Sequence, residues 1–385
     1  MGTTTDRRGV LHVVTDPRRR GSQAFAHDLD AALRGRGRAS SVVALAGTGE
    51  MAIPVLGPGR LHPRTLRELR RRAAGVGLVI AHGSTTLDAC GIALAGTGTP
   101  FVYVNIGDPR HWARDPLRRA RVGLMLRRAV AIASVSPMGR DVLLRTYRLR
   151  PDRVRAIPNG RRPERFPPPE GDDRAKARAE LGLPADALVL AVVGALAAEK
   201  RVALAIEAFA LLEDGERDTA SGAIAEPAAT GAAERERPSY HLLVAGEGPE
   251  RSSLEALAER RSPGRVAFTG NLADLGPVYR AADALVLSST SEGVPGVLVE
   301  AGLSAVPAAA TDVGFVRDVV VDGVTGALAD VGPGPGDPRA LVAAIRRVLA
   351  GRDAMGRAVR ERCLERHAMD TVVDAWIALL DERSR

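Results

Sequence analysis

The chain has 385 residues, 45% of them hydrophobic and 26% charged, a length and balance that suit two ordinary globular domains with a core each. The longest apolar run, residues 187–198, is too short to cross a bilayer, and the spacing of the two cysteines, Cys90 and Cys363, excludes a disulfide framework and a zinc site. A net charge of +8 points to anionic partners, whereas 3% aromatic residues with no basic-aromatic interleaving exclude a stacking platform for single-stranded nucleic acid.

The opening MGTTTDRRGVLHVVTD has no charged region leading to an apolar stretch and a small-residue cleavage site, which predicts a cytoplasmic protein. Apolar, β-branched runs follow at 10–15, 42–46, 78–81, 101–105 and 132–135, alternating with helical patterns in the rhythm of a parallel sheet. Between the first two runs, residues 22–36 put Phe25, Leu29 and Leu33 on one helical face, and Gly35 and Gly37 are stop signals. Residues 117–130 mix Arg118, Arg119, Arg121, Arg127 and Arg128 with Leu117, Val122, Leu124, Met125 and Leu126, as a sheet-covering helix with a basic edge or a peripheral contact with anionic lipid would.

At 158–173 the pattern breaks into IPNGRRPERFPPPEGDD, whose prolines forbid helix and disfavour a central strand, so an interdomain linker is placed there. The rhythm restarts at 188–193, 242–245, 266–269, 284–287 and 306–311, predicting a second doubly wound domain. Residues 213–239 lack periodicity and read as a surface insertion, and the last helix, 371–380, carries Val372, Val373, Trp376 and Leu379 on one face that must dock. The expected division is 1–165 and 166–368, with 369–385 packing back on the first domain.

Chemistry concentrates at strand ends. The stretch SSTSEGVPGVLVEAGLSAVP, residues 288–307, leaves a strand, makes a loop and opens a helix near Gly296, whose unpaired amides and partial positive charge suit a phosphate. Glu292 in the loop and Glu300 about 6 Å along the helix from Gly296 present two carboxylates to the hydroxyls of one ligand. In VVGALAAEK a strand runs into Gly194 and then Lys200, and since Lys176 is the only other lysine beside 52 arginines, Lys200 is a candidate for a compact charge on a phosphate oxygen. Gly246 belongs to AGEGPER, a Gly-rich turn before a helix without the third glycine of a dinucleotide fingerprint. In the first half, DPRRRGSQ brings three arginines to a helix start at Gly21 and Ser22, while His82 in AHGS and Asp108 in NIGDPRHW occupy loops at strand ends.

Together these residues resemble the retaining glycosyltransferases of family 4, which have the α/β GT-B fold: two Rossmann-like doubly wound domains facing an interdomain cleft. The likeness runs through VSPMGRDVL, IPNG, VVGALAAEKRVALAIEAFALL, LLVAGEGPER, FTGNLADLGPVYRAADALVLSS, EGVPGVLVEA and DVGFVRDVVVDGVTGAL, in that order. The resemblance implies a donor site in the second domain for a UDP- or GDP-linked sugar, with an acceptor hydroxyl on a sugar, lipid-linked or small molecule. Glu300 would bind ribose hydroxyls, Glu292 and His82 the transferred sugar, the Gly296 and Val297 amides the diphosphate, and Lys200 the leaving group. Gly194, Gly246, Leu272 and Gly293 would complete the donor contacts. No metal and no cofactor beyond the nucleotide sugar is implied, nor any nucleic acid partner.

Three departures from the family pattern stand out. Ala195 replaces the usual arginine, which leaves one of two diphosphate-clamping cations to Arg201 or to one of Arg18, Arg19 and Arg20; Phe315 follows Gly314 where a second glycine is usual; and Ala305 stands where glycine is common. The last two are expected to crowd the substrate site. A catalytically degenerate nucleotide-sugar-binding protein and a GT-B sugar-nucleotide epimerase therefore remain alternative readings.

Overall fold

The computed structural model describes residues 9–18, 20–112, 115–221 and 239–383. They form two compact units: Met1–Arg162 with Glu292–Gly296 and Glu365–Arg385, and Pro163–Ser291 with Val297–Leu364.

The first unit alternates β1 (Val10–Val14), α1 (Gly21–Gly35), β2 (Ser40–Ala44), α2 (Pro63–Ala73), β3 (Leu78–His82), α3 (Ser84–Ala93), β4 (Phe101–Asn105), α4 (Pro116–Arg128), β5 (Ala131–Ser134), α5 (Pro137–Tyr147) and β6 (Val154–Ala156). Its six strands are parallel in the order β2-β1-β3-β4-β5-β6. Strands β1, β3 and β4 are buried end to end, as parallel strands covered by helices on both faces must be. Proline sharpens three helix starts. His62, Asp115 and Ser136 each stand in extended backbone ahead of a proline and accept the amide of Arg64, Arg118 or Gly139, satisfying one orphan donor of the first turn.

The second unit runs α6 (Asp173–Glu180), β7 (Leu188–Val193), α7 (Val202–Ser221), β8 (Tyr240–Ala245), α8 (Arg251–Arg261), β9 (Val266–Gly270), α9 (Gly276–Ala281), β10 (Ala284–Leu287), α10 (Gly296–Leu303, its first residue grouped with the first unit), β11 (Ala308–Thr311), β12 (Gly326–Ala329) and α11 (Pro338–His367, its last three residues grouped with the first unit). The strand order is β12-β11-β10-β7-β8-β9, all parallel, so the connections diverge on the two sides of β7 and β10. Open α/β sheets take their ligands beyond the carboxyl ends of the strands at such a switch point, here β7 and β10. Helix α7 continues to Ser221, so the start of the expected insertion is helical; residues 222–238 of it lie outside the described residues.

Helix α12 (Met369–Arg383) belongs to the first unit. Arg161 and the residues around Ala368 pair like short strands, Arg161 N–H to His367 O and Met369 N–H to Arg161 O, both at 2.8 Å. The apolar face expected at 371–380 is buried, with Trp376 and Leu380 fully covered, and Arg36 reaches Asp370 and Asp374 while Arg38 reaches Asp381.

Ala305 has φ 57°, a left-handed conformation in which an L side chain is strained. It ends α10: its amide bonds Gly302 O at 3.0 Å and the Val306 amide bonds Ala301 O at 2.9 Å. The family's glycine is thus explained by a helix C-terminus, and the expectation that Ala305 crowds a substrate site is corrected. Ala305→Gly is expected to raise stability by about 0.5–1 kcal/mol in urea unfolding, because relief of the left-handed strain outweighs the extra freedom of the unfolded chain.

Candidate active site

At the switch point of the second unit, two loops are tied together. Strand β7 ends at Val193, Gly194 takes φ 148°, and the chain reaches Lys200 through a short 3-10 turn, Ala198–Lys200. Ser288 Oγ, just past β10, donates to Lys200 O at 2.8 Å, and the Thr290 amide donates to Glu199 O at 2.8 Å. Lys200, half-buried, is thereby fixed in backbone position at the carboxyl edge. Arg201 completes the tie: its Nε bonds Ser288 O at 3.0 Å, Nη2 bonds Ser289 O at 3.0 Å and Nη1 bonds Gly334 O at 3.2 Å.

The glycines after β8 have a packing reason. A Cβ on Gly246 would fall 1.8 Å from Gly194 O, and one on Gly248 would fall 2.3 Å from Leu196 O. The loop is laid against its neighbour by Leu196 N–H to Glu247 O at 2.9 Å and Glu250 N–H to Leu196 O at 3.1 Å. Gly246 therefore holds the floor under Gly194 and Lys200 by letting two backbones meet, something only glycine permits.

Helix α10 opens at Gly296, with Gly296 and Val297 half-buried at its first turn. One turn on, Glu300 accepts a hydrogen bond from the Tyr279 hydroxyl at 2.9 Å on Oε2. Tyr279 is fully buried on α9 and packed edge-on against Phe166 at 5.9 Å, so the carboxylate is held by a side chain set in the core. Leu272 lies half-buried in the loop after β9.

Glu292 and Gly293 group with the first unit, not with Lys200 and Glu300 in the second. A Cβ on Gly293 would sit 2.2 Å from Ile106 O, in the turn that follows β4. Asn105, fully buried at the end of β4, donates from Nδ2 to Gly107 O at 3.0 Å and holds that turn. Asn105, Ile106 and Gly107 were not singled out in the sequence; NIG without a charged residue carries no signal of its own. Asp108 beside them has its carboxylate engaged by the Arg110 guanidinium at 2.8 Å.

His82 is the last residue of β3 and not a loop residue, and it is 2% exposed. His12 faces Ile80 in the ladder, which brings His82 to the same side of the sheet: His12 Nδ1 and His82 Nε2 are 2.9 Å apart, with Phe25 edge-on to His82. Burial lowers the His12 pKa to about 4 and holds that of His82 well below the usual value, so both rings are neutral near pH 7. His82 is thus a hydrogen-bonding group and not a cation. Gly21 and Ser22 form the first residues of α1, which starts without a side-chain cap; Ser22 Oγ instead bonds Gln23 Oε1 at 2.6 Å.

Two expectations about the departures are corrected. Arg201 does not stand in for an arginine at 195, since three of its nitrogens hold backbone carbonyls, while Arg18 pairs with Asp16 at 2.5 Å and keeps a side chain that is 45% exposed. Arg19 lies outside the described residues. Phe315 is 1% exposed and packs into the interior of the second unit, so it does not line an open site. Among the described residues no group of three or more His, Cys, Asp or Glu is placed to hold a metal ion, and no helix is long and apolar enough to cross a membrane.

Comparison with known proteins identifies the family and the fold. Residues 173–364 match the family model for glycosyl transferases group 1, and residues 19–165 match that for glycosyltransferase family 4. A D-inositol 3-phosphate glycosyltransferase of Geodermatophilus obscurus is 33% identical over 257 residues, 61% of this chain and 50% of that protein. A 2-deoxystreptamine glucosyltransferase of Streptomyces kanamyceticus is 31% identical over 241 residues, 61% of this chain and 55% of the other. The chain thus spans about half the length of the curated relatives it matches. Among solved structures, HepE of Anabaena, crystallised with UDP and glucose, superposes with a TM-score of 0.78 at 20% identity, over 97% of this chain and 100% of that one. Sucrose-phosphate synthase of Thermosynechococcus elongatus gives 0.77 at 21% identity, over 98% and 99%. At such identities the likeness shows the fold, which is GT-B.

Proposed function

Because the chain belongs to the family 4 glycosyltransferases, we propose that it transfers a sugar from a UDP- or GDP-linked donor to an acceptor hydroxyl, with retention of anomeric configuration. The observation that carries the reading is the Glu300 carboxylate, held by Tyr279 one turn into α10, in the same unit as the Lys200 loop at the strand-order reversal. Glu300 takes the ribose diol, the amides at Gly296 and Val297 meet the diphosphate, and the Lys200 ammonium neutralises the leaving group. Glu292 and His82 contact the transferred sugar. The sugar reacts as an oxocarbenium-like electrophile while the diphosphate departs on the same face, so catalysis is charge stabilisation and positioning. Helix dipole and ammonium take the part of a metal, and full activity in excess chelator is the expected result.

A thermal-shift screen with UDP, GDP, ADP and their sugars tests the donor site: a ligand at 100 times its dissociation constant stabilises by ~2.7 kcal/mol. No shift with any nucleoside diphosphate would remove the reading. Tyr279→Phe deletes a hydrogen bond to a charged group, and the donor dissociation constant is expected to rise about tenfold with little change in kcat. An unchanged dissociation constant would detach Tyr279 from the site.

A second reading, a nucleotide-sugar-binding protein without turnover, is favoured by Ala195 together with the engagement of Arg201 by backbone carbonyls. Tight donor binding without release of nucleoside diphosphate across an acceptor panel would establish it. We also place the protein in the cytoplasm, with peripheral contact at anionic lipid through α4, where Leu117 is 84% and Leu124 58% exposed beside basic residues. Failure to sediment with anionic vesicles at low salt would remove the lipid contact.

A further inference from the structure

The first unit holds a cavity of about 500 Å³ lined by Asp16, Arg18, Ala46, Gly47, Thr48, Pro58, Gly59 and Arg60. The volume lies within the range of small-molecule sites, and the lining comes from the loops after β1 and β2, at the carboxyl edge of the sheet.

Its floor is built by backbone. The amides of Leu45 and Ala46 continue the β1 ladder to Val14 O at 2.9 Å and Thr15 O at 3.3 Å, and Met51 N–H bonds Pro17 O at 3.0 Å. Gly47 takes φ 96°, and a Cβ on Gly49 would strike the Pro17 carbonyl carbon at 2.3 Å, so the second loop lies flush on the first only because these positions are glycine.

Asp16 lies at the centre, 3% exposed. Its Oδ1 accepts the Arg18 amide at 3.2 Å and Gln23 Nε2 at 3.3 Å, its Oδ2 accepts Arg18 Nη2 at 2.5 Å, and Arg60 Nη2 lies 3.9 Å from the same oxygen. The Arg18 hydrogen bond keeps the Asp16 carboxyl below the usual carboxylate range, so it is ionised. Both guanidiniums remain about half exposed, at 45% and 49% of their side-chain surface. Two cations against one acid leave an excess of one positive charge in the lining. Counting Arg20 and Glu50, whose fields reach this cluster, leaves the excess unchanged. A buried acid paired with Arg18 and 3.9 Å from Arg60, both arginines half exposed in the lining beside Thr48 and glycine backbone, suits an oxyanion carried on a hydroxylated body.

We propose that this cavity binds the anionic group, phosphate monoester or carboxylate, of a hydroxylated acceptor; the word acceptor rests on the transferase reading, whereas the anion site does not. Arg18 and Arg60 grip the oxyanion, Asp16 is the positioning residue that orients them, and Thr48 meets a hydroxyl.

Calorimetry on the full chain with glucose 6-phosphate, glucuronate, glucose and inorganic phosphate tests the idea. Glucose 6-phosphate or glucuronate is expected to bind at least tenfold more tightly than glucose, with whichever anion wins naming the group. Arg60→Gln, at an exposed position that does not threaten folding, is expected to weaken that binding at least tenfold without altering the affinity for nucleoside diphosphate. Asp16→Asn is expected to weaken it because Arg18 and Arg60 lose the carboxylate that orients them, even though the variant lining carries one more net positive charge. Equal affinity for glucose and the anions, the absence of binding by either sugar anion, or an Arg60→Gln variant that binds like wild type would overturn the proposal. Nucleotide binding with no anion binding would reject the cavity alone; anion binding with no nucleotide binding would reject the transferase reading alone.

Discussion

Replacement of Lys200 by alanine is expected to lower kcat with the cognate nucleotide sugar by about a hundred- to a thousandfold, the usual cost of one preorganised contact to a developing charge. Ser288 and Thr290 bind the backbone of residues 199 and 200, and Arg201 binds the carbonyls of Ser288 and Ser289, so the ammonium is carried on a loop pinned to the carboxyl end of β10. Ala195 contributes no charge, and three nitrogens of Arg201 are bound to backbone carbonyls, so Lys200 is the cation this loop offers to the leaving group. Because the pinning bonds are to backbone and to Arg201, the variant keeps them. Lys200→Arg is expected to recover only part of the rate, since a planar fork replaces a compact charge. Wild-type kcat in Lys200→Ala would remove this residue from the chemistry.

At the opposite edge of the same sheet, Asp283→Ala is expected to destabilise the protein by about 3–5 kcal/mol in urea unfolding followed by circular dichroism. Asp283 immediately precedes β10 and is 7% exposed; its carboxylate accepts Arg174 at 2.7 Å, Arg178 at 2.8 Å and the Val189 amide at 2.8 Å. The Arg178 side chain is 6% exposed and also bonds Ala281 O at 3.1 Å and Ala185 O at 2.6 Å, so it stays where it is when the acid is lost. Alanine therefore leaves a buried guanidinium uncompensated and an amide of β7 without an acceptor. Replacing both partners, as in Asp283→Leu with Arg178→Met, is expected to restore most of the loss, because the penalty belongs to the unpaired charge. A loss under about 1 kcal/mol in the single variant would show that water reaches Arg178.

These two residues mark what could be read in the chain alone. Strands rich in Val, Leu and Ile, such as 101–105 and 188–193, declared themselves by burial on both faces, and both domains followed from the alternation. Strands β6 and β12 did not: VRA is only three residues with two exposed, and GALA has no β-branched side chain. The Lys200 and Glu300 candidates were visible because charge and glycine punctuate strand ends. Their supports were not, since Tyr279 meets Glu300 across 21 residues and His12 meets His82 across 70, and no periodicity encodes such contacts. His82 illustrates the limit: a histidine closing a buried strand has the same neighbours in sequence whether its ring meets solvent or a second ring. Ala305 and Phe315 looked like damage to a site, yet one is a helix terminus and the other is core. The cavity around Asp16 was hidden because its lining is split between loops some thirty residues apart.

The central claim is sugar transfer from a nucleotide donor, and the most direct test follows the anomeric proton by NMR while wild-type protein is incubated with its donor and an acceptor panel. The account predicts stoichiometric release of nucleoside diphosphate and a new glycosidic signal with the donor's own anomeric configuration. Donor that is bound but never consumed, or consumed only to an isomerised nucleotide sugar, would contradict it.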